Sequence, residues 1–271
     1  MAINTLIVVS VLIYGGLGLI IGSFLNVLIL RHDVRPLSGR SHCTSCTTRL
    51  KWFDLIPIIS WIMLRGRCRT CRSAISIQYP LVEAGTALLF ALIGTAFFQN
   101  NLLIFSTHSL LLVPYFAMTA LLIAITVYDM RHMIIPDEWT FLFAGIALVT
   151  SLASYDAAFA LTVLLSGPIV AAPLYLLWFV SRGMWMGLGD PKLALGMGWL
   201  LGPYVGLAAI FLAFIIGAIV SLLVLIPLSA LRRRGEPITM KSEVPFGPFL
   251  VASTLILWLM TLYGIDPLFF S

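Results

Sequence analysis

Apolar runs at about 3–30, 80–98, 109–128, 138–153, 159–180, 184–202, 206–228 and 246–263 dominate this chain of 271 residues. Most approach the ~20 residues needed to cross a ~30 Å hydrocarbon core. The stretch 193–230 would make one helix of ~57 Å, far too long for a single crossing. Gly202-Pro203 offers a break within it. Eight spans result, of which the sixth has the least defined start. The runs are continuous rather than alternating, which argues against a membrane barrel. Only 10% of residues are charged and 61% are hydrophobic, so a soluble domain, with roughly 25% charge, is excluded.

The basic residues set the topology. Loop 31–79 carries Arg31, Arg35, Arg40, Arg49, Lys51, Arg65, Arg67, Arg69 and Arg72. The others are Arg131 after span three, Arg182 after span five, Lys192 early in span six, and Arg232, Arg233, Arg234 and Lys241 after span seven. All 16 lie on one side if eight spans alternate. The positive-inside rule then places these loops in the cytoplasm and both termini outside. The first run has no basic residue before Arg31 and reads as a retained helix rather than a signal peptide. The expected organisation is a first transmembrane helix at 1–30, a cytoplasmic loop at 31–79 and a membrane core at 80–271.

The four cysteines all fall in that loop. Cys43, Cys46, Cys68 and Cys71 form C-x2-C-x21-C-x2-C. The cytosol keeps thiols reduced, so disulfides are disfavoured there. Paired C-x2-C knuckles suit one tetrahedral Zn2+, and a metal supplies folding energy that so small a loop lacks. The expected role is structural; thiol redox chemistry is the rival. His32 and His42 are nearby spare ligands but read as ordinary loop residues. The loop arginines serve as topology determinants beside anionic lipid, so no nucleic-acid partner is expected. The fold class is therefore an all-α polytopic membrane protein of about eight transmembrane helices with a small cytoplasmic zinc-binding loop domain.

The chain has eleven acidic residues. Asp129 ends span three, Asp190 lies in Gly187-Leu188-Gly189-Asp190, and Glu83 lies just inside span two, where it reads as a cap or as the partner of a loop arginine. A span from 184 to 202 is preferred over a start at Pro191, which leaves too few residues to cross. That places Asp190 about two turns below the cytoplasmic surface, at a depth similar to Asp129. Ionisable groups at such depth face a partner or an aqueous cavity. Two facing carboxylates share a proton, the arrangement an aspartic protease uses. Spacing alone leaves a second reading open: Asp129 as a solvated helix end, Asp190 as an N-cap before Pro191. Asp137 rivals Asp129, although N-capping of span four accounts for it, with Glu138 in the first turn.

Taken in order, Gly22-Ser23-Phe24-Leu25-Asn26-Val27, the two C-x2-C pairs, Gln78-Tyr79-Pro80-Leu81-Val82-Glu83, Asp129 with Ile135-Pro136-Asp137, the Gly187–Asp190 motif and Pro245-Phe246-Gly247-Pro248-Phe249-Leu250 resemble the type IV prepilin leader peptidases, GxGD aspartic proteases of the bacterial inner membrane. The similarity covers about residues 15–255. It implies cleavage of the leader of prepilins or pseudopilins at the cytoplasmic face, with Asp129 and Asp190 as the catalytic pair. The four-cysteine loop implies subsequent N-methylation with S-adenosylmethionine, for which no cofactor residues are assigned. Thr44-Ser45 stands where many relatives carry a proline. Gly196, Gly198, Gly206 and Gly217 are expected to help a substrate helix dock between spans. Alternatives are a presenilin-type or signal-peptide-peptidase-type protease, although the Pro-Ala-Leu motif of that group is absent; a transporter with Asp129 and Asp190 as ion ligands; and a zinc-dependent sensor or scaffold.

Overall fold

A computed structural model describes residues 2–32, 39–100, 111–225 and 244–267. Its helices are α1 (Ala2–Arg31), α2 (Ile59–Met63), α3 (Gln78–Asn100), α4 (Leu112–His132), α5 (Asp137–Ser154), α6 (Ala160–Ser181), α7 (Gly189–Val220) and α8 (Gly247–Leu262). Five of the described helices are long and apolar enough to cross a membrane, and α8 is a shorter apolar helix. The architecture is that of a multi-pass, all-helical membrane protein. Arg35, Arg232, Arg233, Arg234 and Lys241, used above to set topology, lie outside the described residues. The chain forms two compact units, 1–124 and 125–271.

In the first unit α1 lies directly on α3. A Cβ on Gly18 would fall 2.6 Å from the Ala87 Cα, and one on Gly22 would fall 2.8 Å from the Glu83 Cα. Glycines four apart thus form a smooth stripe where two backbones meet, the small-residue packing that membrane helices use. Asn26, one turn further, donates from Nδ2 to the Tyr79 carbonyl at 3.2 Å. Phe116 of α4 stacks on Phe90 at 4.3 Å between centroids.

Of the two roles expected for buried Glu83, a cap or an arginine's partner, the structure gives it a backbone partner. Its Oε2 accepts a hydrogen bond from the Ile58 backbone N–H at 2.7 Å. Ile58 has φ 60°, a conformation costly for a β-branched residue. The carboxylate therefore ties an otherwise unfavourable loop turn to the first turns of α3.

In the second unit α7 is folded back on itself. Gly202 has φ 78° and ψ 174°, with Pro203 next. Beyond the break, a Cβ on Gly206 would fall 3.4 Å from the Gly198 Cα. Eight residues of straight helix would separate them by ~12 Å. The apolar run at 193–230 thus divides at Gly202-Pro203, giving the sixth and seventh expected spans.

The start of the sixth differs from expectation. The helix begins at Gly189, and residues 184–188 are irregular. Arg182 (φ 51°) and Gly183 (φ 80°) end α6, where the Gly183 N–H donates to the Trp178 carbonyl. The half before the break is then only ~20 Å long. A short half-helix is tolerated because protein, rather than lipid, surrounds it: Asp190, Leu193, Ala194, Met197 and Gly198 are all buried.

The glycines expected to admit a substrate helix are filled from within. Gly196 lies against Phe143 and Ala144 of α5, Gly198 against Ser166 and Gly167 of α6, Gly206 against Val170, and Gly217 against Phe249 of α8. They hold the bundle together. A Cβ at Gly198 would fall 2.5 Å from the Ser166 carbonyl oxygen, whereas one at Gly145 meets nothing within 4 Å. Gly198→Leu is expected to destabilise the protein by ~3 kcal/mol or more through overpacking against backbone. Gly145→Ala is expected to be neutral or stabilising by up to ~1 kcal/mol. Thermal unfolding of both variants in one detergent distinguishes them.

Candidate active site and candidate metal centre

The acidic site is built from three breaks in helices. Asp129 lies in the last turn of α4. After it, Met133 adopts φ 53° and its N–H donates to the Asp129 carbonyl at 2.8 Å, so the chain turns sharply into Ile134-Ile135-Pro136. Asp190 lies in the first turn of α7, where the helix dipole favours a carboxylate. It is not the N-cap; that position belongs to Leu188. Gly247 opens α8, with Pro248 following.

Ile135 draws the three together. A Cβ on Gly189 would fall 2.8 Å from the Ile135 Cβ, and one on Gly247 would fall 3.2 Å from the Ile135 Cδ1. A Cβ at Gly189 would collide with Ile135, and one at Gly247 would fall 2.5 Å from Asp129 Oδ2. The Gly247 N–H donates to Asp129 Oδ2 at 3.1 Å. Asp190 follows Gly187-Leu188-Gly189 directly, and the Asp129 carboxylate is near enough to act on it electrostatically. Asp129 is 4% exposed and Asp190 6%. Two buried carboxylates within electrostatic reach, one of them held by a backbone N–H, can divide one proton between them and move it.

The rival acid is elsewhere. Asp137 is the first residue of α5, with Pro136 as its N-cap, and its side chain is 56% exposed. Lys192 pairs with it at 2.7 Å, so that lysine is fixed to α5 as well as placed near the start of α7. Glu138 occupies the first turn of α5 as expected. The part played by Gly247 was missed from sequence, although Pro245-Phe246-Gly247-Pro248 was visible as a motif.

The cysteine loop consists of two copies of one turn. The Cys43 N–H donates to the Thr48 carbonyl, and the Thr47 N–H donates back to the Cys43 carbonyl. The Cys68 N–H donates to Ser73, and the Arg72 N–H to Cys68. Thr47 (φ 56°) and Arg72 (φ 60°) hold the same left-handed position in each. Thr44-Ser45 therefore leaves the first knuckle equivalent to the second. The ligand atoms of Cys43, Cys46, Cys68 and Cys71 all lie within 4.8 Å of one another, with Cys43 and Cys71 Sγ 3.8 Å apart. All four cysteines are free thiols. Backbone N–H groups of Cys46 and Ser45, with the Ser73 hydroxyl, hold the Cys43 thiol down to about 6. The Ser73 hydroxyl and N–H also lower Cys71. Thiolate is the form that ligates metal, so donor type, charge and spacing fit a four-coordinate ion. His42 instead approaches the Arg40 carbonyl at 3.3 Å and is not among this cluster.

Comparison with known proteins agrees along most of the chain. Residues 17–97 match the profile described as the bacterial peptidase A24 N-terminal domain, and residues 116–222 match the type IV leader peptidase family. A type 4 prepilin-like proteins leader peptide-processing enzyme of Escherichia coli is 35% identical over 69% of this chain and 75% of its own length. Proteins named prepilin leader peptidase/N-methyltransferase are similar too: one of Xanthomonas campestris is 31% identical over 93% of this chain and 90% of its own, and one of Pseudomonas putida 29% over 92% and 88%. No solved structure matches the chain. With its leader-peptidase segment, its N-terminal A24 segment and relatives aligned over three quarters or more of their own length, the chain belongs to the type IV leader peptidase family.

Proposed function

We propose that this protein is an aspartic endopeptidase that removes the leader from type IV prepilins or pseudopilins at the cytoplasmic face of the bacterial inner membrane, and then methylates the new amino terminus. The observation that carries the reading is the buried Asp129–Asp190 pair at the ends of α4 and α7, in a chain of the leader peptidase family. The distribution of basic residues supports the cytoplasmic assignment. The pilin's own apolar helix lies in the bilayer and brings the scissile bond to the depth of the two carboxylates.

The chemistry needs one proton shared by two carboxyl groups. The ionised carboxylate takes a proton from water as its oxygen attacks the scissile carbonyl carbon. The protonated partner hydrogen-bonds the carbonyl oxygen and gives up its proton to it, forming a neutral tetrahedral diol. Collapse of the diol breaks the C–N bond; one carboxyl protonates the departing nitrogen, and the other recovers the diol's proton. The Gly247 N–H keeps Asp129 oriented through the cycle. S-adenosylmethionine supplies the methyl group for the second reaction; the chain's contribution there is the amine that cleavage has exposed on its substrate.

The metal assigned to Cys43, Cys46, Cys68 and Cys71 is Zn2+, in a structural role. A Zn–S4 tetrahedron with ~2.3 Å bonds has edges of ~3.8 Å, which supports this choice given the Cys43–Cys71 spacing. Four protein thiolates leave no open position for substrate.

Cleavage of a prepilin in liposomes is expected to fall by ~100-fold or more in Asp129→Asn and in Asp190→Asn, with protein still inserted and monodisperse. Asp137→Asn is expected to retain most of its activity, because it breaks only an exposed ion pair. Full cleavage by either of the first two variants would remove that carboxylate from the mechanism.

Metal analysis of the purified protein is expected to find about one zinc per chain. Cys43→Ser is expected to lower that content and to impair methylation more than cleavage. Equal loss of both activities would give the lobe a role in the folding of the whole chain.

A further inference from the structure

The cysteine lobe has a face that neither the metal nor the peptidase chemistry uses. Short helix α2 turns its two sides to different surroundings. Trp61 points inward: its Nε1 donates to the Ile75 carbonyl at 3.3 Å, and its ring covers Gly66, where a Cβ would fall 2.8 Å from it. Ile59, Ile62 and Met63 share the other side at spacings of three and four, the positions that face together on a helix. Ile62 is 62% exposed and Met63 78%. Trp52, in the preceding helical turn Trp52–Leu55, is 77% exposed. A lobe this small, with a core no larger than Trp61 and the two knuckles, exposes more apolar surface than scattered surface residues explain.

The lobe that carries that face is strongly basic. Residues 39–77 hold seven lysines and arginines against one carboxylate, Asp54. Asp54 is consumed internally: Arg69 pairs with it at 2.8 Å, and its side chain is 8% exposed. The lobe thus offers apolar side chains and positive charge together, with no exposed carboxylate among the described residues to oppose an anionic surface. Its place in the chain limits what it meets. It is bounded by α1, which ends at Arg31, and α3, which begins at Gln78, both membrane-spanning by length and composition and packed side by side. The lobe is therefore held at the membrane surface from which these helices emerge.

We propose that the Trp52–Met63 segment lies in the membrane interface, with Trp52, Ile59, Ile62 and Met63 among the acyl-chain boundary and the lobe's arginines on anionic lipid headgroups. Apolar insertion combined with basic charge is what gives interfacial segments their affinity and their dependence on lipid composition. Tryptophan is favoured at the same depth. This assignment does not depend on the peptidase chemistry.

The test uses the full chain reconstituted in liposomes of phosphatidylcholine and phosphatidylglycerol. The photo-crosslinking residue p-benzoylphenylalanine replaces Ile62, Met63 or, as a control on the second knuckle, Thr70, and adducts are identified by mass. The expected result is a phospholipid adduct at positions 62 and 63, several-fold more abundant than at 70, falling at least about fivefold in pure phosphatidylcholine. Crosslinking to a second copy of the chain or to added prepilin instead of lipid would overturn the proposal. So would lipid yields at 62 and 63 no higher than at 70. Yields unaffected by removal of phosphatidylglycerol would overturn the assignment to anionic lipid.

Discussion

A helix that begins inside a membrane protein leaves backbone N–H groups without partners, and hydrocarbon offers none. Much of this molecule's candidate site follows from that requirement. The Gly247 N–H at the start of α8 is satisfied by Asp129, and Asp190 sits in the first turn of α7, against that helix's positive end. Asp129 therefore answers a structural need at the start of α8. Neither need be solvated by water, which is why both are buried where charge is otherwise expensive. The glycines around them follow from the same geometry: Ile135 is pressed so close to Gly189 and Gly247 that any Cβ would open the site.

The parts legible in the sequence are those that local composition determines. Apolar run length gave the helices, Gly202-Pro203 marked the hairpin, and C-x2-C spacing located the thiol cluster. The start of α7 was misplaced because a length rule for lipid-facing helices was applied to a half-helix enclosed by protein. The four glycines of α7 were assigned to an incoming helix because spacing shows that a face is smooth without showing what lies on it. Glu83 was read as a cap or as an arginine's partner without its donor being identified, because charge is visible in a sequence, whereas a strained backbone N–H at Ile58 is not. The Gly247 contact joins residues 118 positions apart, beyond the reach of any local pattern.

The cysteine lobe and the acidic site solve the scarcity of partners in opposite ways. In the membrane unit, hydroxyls such as those of Thr140 and Thr254 return to carbonyls of their own helices, so buried polar groups cost little. In the lobe there is almost no core, and order comes from two repeated turns that aim four sulfurs at one point. The repeat escapes a search for long periods because each copy spans only about six residues. It shows instead in the shared left-handed positions of Thr47 and Arg72.

The bond between Gly247 and Asp129 also bears on how the protein is made. The donor belongs to α8, which leaves the ribosome long after α4 has been synthesised. Until α8 inserts, Asp129 lacks the N–H that holds it and Ile135 lacks one of the two surfaces it packs against. Completion of the acidic pair is thus coupled to completion of the bundle, and a partly translated chain carries both aspartates without the contacts that hold Asp129 in place.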